Sequence, residues 1–171
     1  MTTTGTAAAV RTIQIEKDDP ARADVLGLLD EHMRHMHELS PPESVHALDV
    51  GALKAPGITF WSAREEGVLI GCGALKAIGP DHGEIKSMRT PAALRGRGAG
   101  RALLECILEE ARSRGYKRVS LETGPAQTFQ AAHRLYESAG FQECGPFGEY
   151  RLDPYSVFMT LELQSAPIKE F

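Results

Sequence analysis

A chain of 171 residues with ordinary globular composition has room for one domain with its own core. Its net charge of −4 speaks against general nucleic-acid binding, and no apolar run approaches bilayer-spanning length, so neither a nucleic acid nor a membrane is expected as a partner. Three scattered cysteines without a CxxC pair argue against a disulfide scaffold or a cysteine zinc site; with no basic, apolar leader, the expected location is the cytoplasm.

Residues 1–10 are Thr/Ala/Gly-rich and are expected to be disordered, with residues 11–165 as the folded domain and 166–171 as a C-terminal tail. Thr12 to Ile15 alternates and predicts a strand. Asp18, Asp19 and Pro20 open a helix in which Val25, Leu29, Met33 and Met36 recur at helical spacing, and Ser40-Pro41-Pro42 stops it. His32, His35, His37 and His46 lie in or near this helix. No HExxH or carboxylate cluster accompanies them, so they are read as a partly exposed helix face and no metal is expected. Ser44 to Ala55 predicts a short second helix. Ile58 to Ala63 and Val68 to Leu75 predict a hairpin about Glu66-Gly67, and Glu84 to Thr90 the next strand.

Arg95-Gly96-Arg97-Gly98-Ala99-Gly100-Arg101 follows and runs at once into an apolar helix pattern. Glycines let a ligand approach the backbone, and the free N–H groups of a helix start attract anions. Together they suit a phosphate. A Walker loop is excluded because no lysine follows in register, and Arg101 stands where a dinucleotide fingerprint needs its third glycine. The spacing fits [Q/R]-x-x-G-x-[G/A] through Arg95, Gly98 and Gly100; a plain strand-to-helix turn is the alternative. From Lys86 to Arg118 there are nine basic and three acidic side chains, a basic centre in an acidic protein that suits a small polyanion.

Gly98 to Arg114 predicts a helix that Gly115 caps, and Arg118 to Glu122 a strand parallel to Glu84–Thr90. A helix from Thr128 to Ala139 carries Ala132, Leu135, Tyr136, Gly140 and Phe141 in an AxxLYxxxGF pattern. Phe141 to Cys144 and Ser156 to Leu163 read as the last strands.

The two motifs, in this order and on these elements, resemble the GNAT superfamily of acyl-CoA N-acyltransferases, and the Glu84–Thr90 strand and the Tyr150–Met159 tail resemble a branch of small bacterial members of uncertain substrate. The resemblance covers Thr12 to Leu163. It implies an α/β GNAT fold, a mixed twisted central sheet with splayed parallel strands flanked by helices, in the order β-α-α-β-β-β-α-β-α-β-β. It also implies an acetyl-CoA-dependent N-acetyltransferase, with acetyl-CoA (coenzyme A) as co-substrate and a small-molecule or amino-acid-like primary amine as acceptor. A protein or peptide acceptor and a non-catalytic acyl-CoA-binding module are the alternatives, and a homodimer is allowed by analogy.

By the same resemblance, the main chain at Met88, Arg89 and Thr90 bonds the pantetheine arm of coenzyme A. Arg95, Gly96, Arg97, Gly98, Ala99, Gly100 and Arg101 hold its pyrophosphate. Gln130, six residues before Tyr136, stands where members carry an asparagine on that arm. Tyr136 matches the tyrosine that protonates the departing thiolate. Glu84, eleven residues before Arg95, matches a catalytic glutamate; strand alternation puts Lys86 on the same side, so base and ion-pair partner stand as equal readings. His82, Glu122 and His133 are reserve bases, and catalysis through water stays open. Trp61, His46 and the Phe147–Arg151 stretch are expected around the acceptor, with Arg151 or Lys86 holding a substrate carboxylate or serving as surface charges.

Overall fold

The computed structural model describes residues 12–164; the expected disordered start and the 166–171 tail lie outside them. Its strands are β1 (Ile13–Lys17), β2 (Ile58–Glu65), β3 (Val68–Ala77), β4 (His82–Arg89), β5 (Arg118–Thr123), β6 (Gln142–Cys144) and β7 (Val157–Glu162). Its helices are α1 (Ala23–Leu39), α2 (Val50–Leu53), α3 (Ala99–Ser113) and α4 (Gln130–Ser138). The strands form one sheet in the order β1-β2-β3-β4-β5-β7-β6. Among the described residues only β4 and β5 pair in parallel, as the βαβ crossover through α3 requires. The element order is the one expected from the sequence.

Two apolar layers sandwich the sheet. On one side α1 packs Val25, Leu28 and Leu29 with Leu53, Phe60, Cys72 and Ala74. On the other, α3 packs Leu103, Leu104, Ile107 and Ala111 against Ile70, Ile85, Val119 and Leu121. Strands β2 and β3 are covered on both faces, which is why they read as nearly continuous apolar runs. Their hairpin turns at Glu66 and Gly67, both at positive φ (50° and 79°), the geometry that matches right-handed strand twist.

The second helix is shorter than expected. Instead of a helix from Ser44 to Ala55 there is a 3-10 turn at Pro42–Ser44 and a single turn at Val50–Leu53. Asp49 restarts the helix by accepting from the Ala52 N–H at 2.8 Å, and the Ser44 hydroxyl donates instead to Asp153 Oδ2, 2.6 Å away. A tertiary contact and an internal cap thus break a pattern that reads locally as one helix. Trp61, expected near the acceptor, is 3% exposed and lies in the α3-side core.

Two features of β4 prepare the site. The ladder between β4 and β5 runs from His82↔Arg118 to Ile85↔Leu121 and then stops, although both strands continue. Beyond that point β4 leans on β3 and β5 on β7, and the sheet splits. In addition, Cys72 pairs with Arg89 but Ala74 with Lys86, so one extra residue is inserted in β4. Ser87 sits in this bulge at φ 55°, and its carbonyl accepts from the Cys72 thiol at 3.3 Å. The insertion resets the alternation. Arg89, rather than Met88, follows Lys86 onto the α1 face. Met88 turns to the α3 side, where a Cβ on Gly73 would strike its sulfur.

Candidate active site

Where the sheet splits, a cleft of about 500 Å³ opens. Its walls are Glu84 to Thr90 of β4 and its extension, Glu122 to Gly124 of β5, the glycine-rich loop, one face of α1 and one face of α4. The backbone groups that would have continued the parallel ladder face this gap, so an extended ligand entering it meets edge donors and acceptors on either side.

One end of the cleft is an anion cradle. Gly96 and Gly98 lie at φ 82° and 86°, a region that glycine enters without strain. Gly98 caps α3, whose first internal bond runs from the Ala102 N–H to the Gly98 carbonyl at 3.0 Å. The N–H groups of Ala99, Gly100 and Arg101 therefore have no intrahelical partner. Gly100 also lets α4 come close, since a Cβ there would sit 3.3 Å from Leu135 Cδ2. Arg95 and Arg101 line the cleft with exposed side chains; Arg97 does not, and its guanidinium lies 3.9 Å from Glu65 Oε1.

The catalytic candidates separate clearly. Glu84 is 3% exposed and lines the cleft. Its Oε2 accepts from the Tyr150 hydroxyl at 2.5 Å and from Lys86 Nζ at 3.4 Å, and Lys86 also donates to the Tyr150 oxygen at 2.8 Å. Tyr150 is fixed by ring contacts to His46, Phe147 and Phe158, with centroids 5.1, 5.1 and 5.4 Å apart. Burial, and then the Glu84 charge, hold its phenol far above the ordinary value. Glu122 lines the same cleft; burial pushes its carboxyl up to about 7, against the pull of a 3.0 Å hydrogen bond from Ser156 Oγ. Tyr136 lines the cleft at 6% exposure and packs edge-on against Phe141 at 5.7 Å, and burial raises its phenol above the ordinary value.

Met88, Arg89 and Thr90 line the cleft; Gln130, the first residue of α4, is exposed and outside the lining, which its neighbours Phe129 and Ala131 join. Of the reserve bases, His82 bonds Ser120 at 2.7 Å and His133 donates to the Gly124 carbonyl at 2.8 Å, and neither lines the cleft. His46 and Lys86 line it, Arg151 does not. The α1 histidines differ from the reading as an exposed face. His37 is exposed, but His32 and His35 face the cleft and Arg89. Among the described residues no group of His, Cys, Asp and Glu gathers as a metal set, and no helix is long and apolar enough to cross a membrane.

Comparison with known proteins agrees with this architecture. Residues 25–141 match the acetyltransferase (GNAT) family, and the chain belongs to it. It is 52% identical over 151 residues to the uncharacterized N-acetyltransferase YsnE of Bacillus subtilis, covering 88% of this chain and 100% of that protein. It is 42% identical over 153 residues to the IAA acetyltransferase of Azospirillum brasilense, covering 88% and 98%. Among solved structures, a Klebsiella pneumoniae protein classed as an acyl-CoA N-acyltransferase superposes with a TM-score of 0.73 at 28% identity, covering 92% and 100%. The chain is an N-acetyltransferase of this family.

Proposed function

We propose that the protein transfers the acetyl group of acetyl-CoA to the primary amine of a small molecule. The observation that carries this reading is the split between Ile85↔Leu121 and the strand ends, opening directly onto the free N–H groups of α3. The residues present fit coenzyme A: the loop, with Arg95 and Arg101, suits the pyrophosphate, and the unpaired edge of β4 from Lys86 to Arg89 suits the amides of the pantetheine arm. The bound co-substrate supplies the acetyl group as a thioester. The 42% identical relative named for IAA, a small molecule, favours a small acceptor.

The chain's own groups must handle two protons. An alkyl amine has a pKa of about 10.4, so roughly one in a thousand is neutral at pH 7, a barrier of about 4–5 kcal/mol. Glu122 is the group suited to take that proton: it lines the cleft and titrates close to neutrality, where a general base works best. Glu84 has its Oε2 engaged by Lys86 and Tyr150 and serves to hold the wall in place. Tyr136, within the cleft, donates to the departing thiolate, and its raised phenol keeps that contribution modest.

Calorimetric titration with acetyl-CoA, followed by thiol release with free amines and with peptides, tests the reading. Micromolar binding and turnover of free amines is expected. A folded protein that binds no acetyl-CoA, or that acetylates only peptides, overturns it. Tyr136→Phe keeps the ring contact with Phe141 and removes only the proton donor. Its expected result is a kcat about 10-fold lower, with Tm unchanged by differential scanning fluorimetry, since the thiol leaves moderately well unaided.

A further inference from the structure

Four buried side-chain polar atoms among the described residues have no hydrogen-bond partner: His32 Nδ1, Arg64 Nε, Ser87 Oγ and Arg89 Nε. Arg64 belongs to an ion network with Asp18 and Asp24 at the far side of α1. The other three residues line one wall of the cleft, where α1 faces the bulge of β4. Buried polar groups are ordinarily paired, so three orphans on one wall mark a place where a ligand supplies the partner.

Their chemistry says which ligand. Arg89 Nε–H can only donate. Its other nitrogens are committed: Nη2 donates to Glu31 Oε1 at 2.8 Å and Nη1 to His35 Nδ1 at 2.9 Å, which holds the guanidinium still. The Glu31 side chain is 35% exposed and shares its charge with solvent, whereas that of Arg89 is 9% exposed. The Ser87 hydroxyl can donate as well. Burial, and then the Arg89 charge, lower the His32 imidazole to about 4, so it is neutral at pH 7 and carries its proton on one ring nitrogen. The Arg89 and Ser87 donors beside a desolvated guanidinium, joined by His32 when its proton sits on Nδ1, match an acceptor with several lone pairs and a negative charge. The bulge is the device behind this wall, because it places Arg89 on the α1 face and Ser87 sits within it.

We infer that this wall is a carboxylate subsite, in which His32, Ser87 and Arg89 receive the carboxylate of an amino-acid acceptor whose amine lies against Glu122. The inference rests on the N-acetyltransferase reading above and deepens it to a substrate class. The cleft has two ends for such a molecule, donors on the β4 and α1 side and a carboxyl on the β5 side.

The test uses the full chain with the twenty common L-amino acids and their α-amides. Melting temperature is read with and without coenzyme A, and thiol release is read with acetyl-CoA. At least one acid should raise the melting temperature and react, with its amide about 10- to 100-fold weaker in KM. Ser87→Ala and His32→Ala should each raise the KM for that acid about 10-fold, and His32→Ala, which lies off the β4 edge, should leave the acetyl-CoA Kd within twofold. His32→Asn, which keeps a donor, should recover part of the loss. Amides that bind and react as well as acids, or no acid that binds, overturn the subsite. Variants that weaken acetyl-CoA instead of the acid also overturn it, by giving the orphan donors to the pantetheine arm. Failure of the acetyltransferase reading looks different: no coenzyme A binding and no thiol release, while the melting shifts still report whether acids bind.

Discussion

Glu122→Gln should lower kcat by about 10²–10³-fold and remove a step near pH 7 from the pH dependence of kcat, the loss expected when a positioned base is deleted. In the wild type only the ionised carboxylate accepts the amine proton, so kcat should rise through about pH 7 and level off above it. Stability should respond in the opposite sense. The folded carboxyl binds its proton more tightly than an ordinary glutamate, so this group's contribution is fully present below about pH 4.5 and is lost as pH rises through about 7. Glu122→Gln should therefore match the wild type in melting temperature near pH 4.5 and exceed it at pH 8. After discounting for water in the open cleft, the gain is on the order of 1–2 kcal/mol, or roughly 4 °C. Glu84→Gln gives the contrasting result. It leaves Lys86, 8% exposed, without its carboxylate and should lower stability by about 3 kcal/mol, yet the step near pH 7 should survive. Stopped-assay pH profiles and thermal melts on the two variants distinguish them. If Glu84→Gln removes the step and Glu122→Gln keeps it, the two glutamates have exchanged roles.

The different surroundings of the two glutamates were not legible in the sequence, and the reason is distance. Whether Glu84 is free depends on Tyr150, which lies 66 residues away, and whether Glu122 is desolvated depends on how β7 and its preceding loop close over β5. Local grammar carried further. The positive-φ glycines, the helix start at Ala99 and the β-α-β order are short-range features, and the loop, α3 and the parallel pairing of β4 with β5 could be read from them, whereas the splaying of that pair was implied by the family resemblance. Alternation along β4 was readable only up to Lys86. A single inserted residue at Ser87 has no signature in composition, yet it moves Arg89 to the α1 face and Met88 away from it. The α1 histidines show the same limit. Helical spacing groups them on one helix, but which of them meets the cleft is decided by where β4 packs.

Arg95→Ala combined with Arg101→Ala should weaken acetyl-CoA binding about 100-fold in calorimetry while leaving the melting temperature within about 2 °C. Both side chains are exposed and both line the cleft beside the free N–H groups of α3, so they are placed to meet phosphate without contributing to the core. A charge-assisted hydrogen bond contributes about 1.5–3 kcal/mol, and at exposed positions the lower end applies. Two such contacts amount to about 3 kcal/mol, which is the 100-fold. The remaining affinity should fall with added salt less steeply than that of the wild type, because fewer screened charges are left. Arg97→Ala should have the smaller effect, since that guanidinium points toward Glu65 and lies outside the lining. Gly98→Val should behave differently from all three. A β-branched residue at φ 86° strains the cap of α3 by about 1–2 kcal/mol and shifts the N–H groups behind it, so affinity and stability should fall together. An unchanged Kd in the double variant would place the phosphates elsewhere and leave the loop as a turn between β4 and α3.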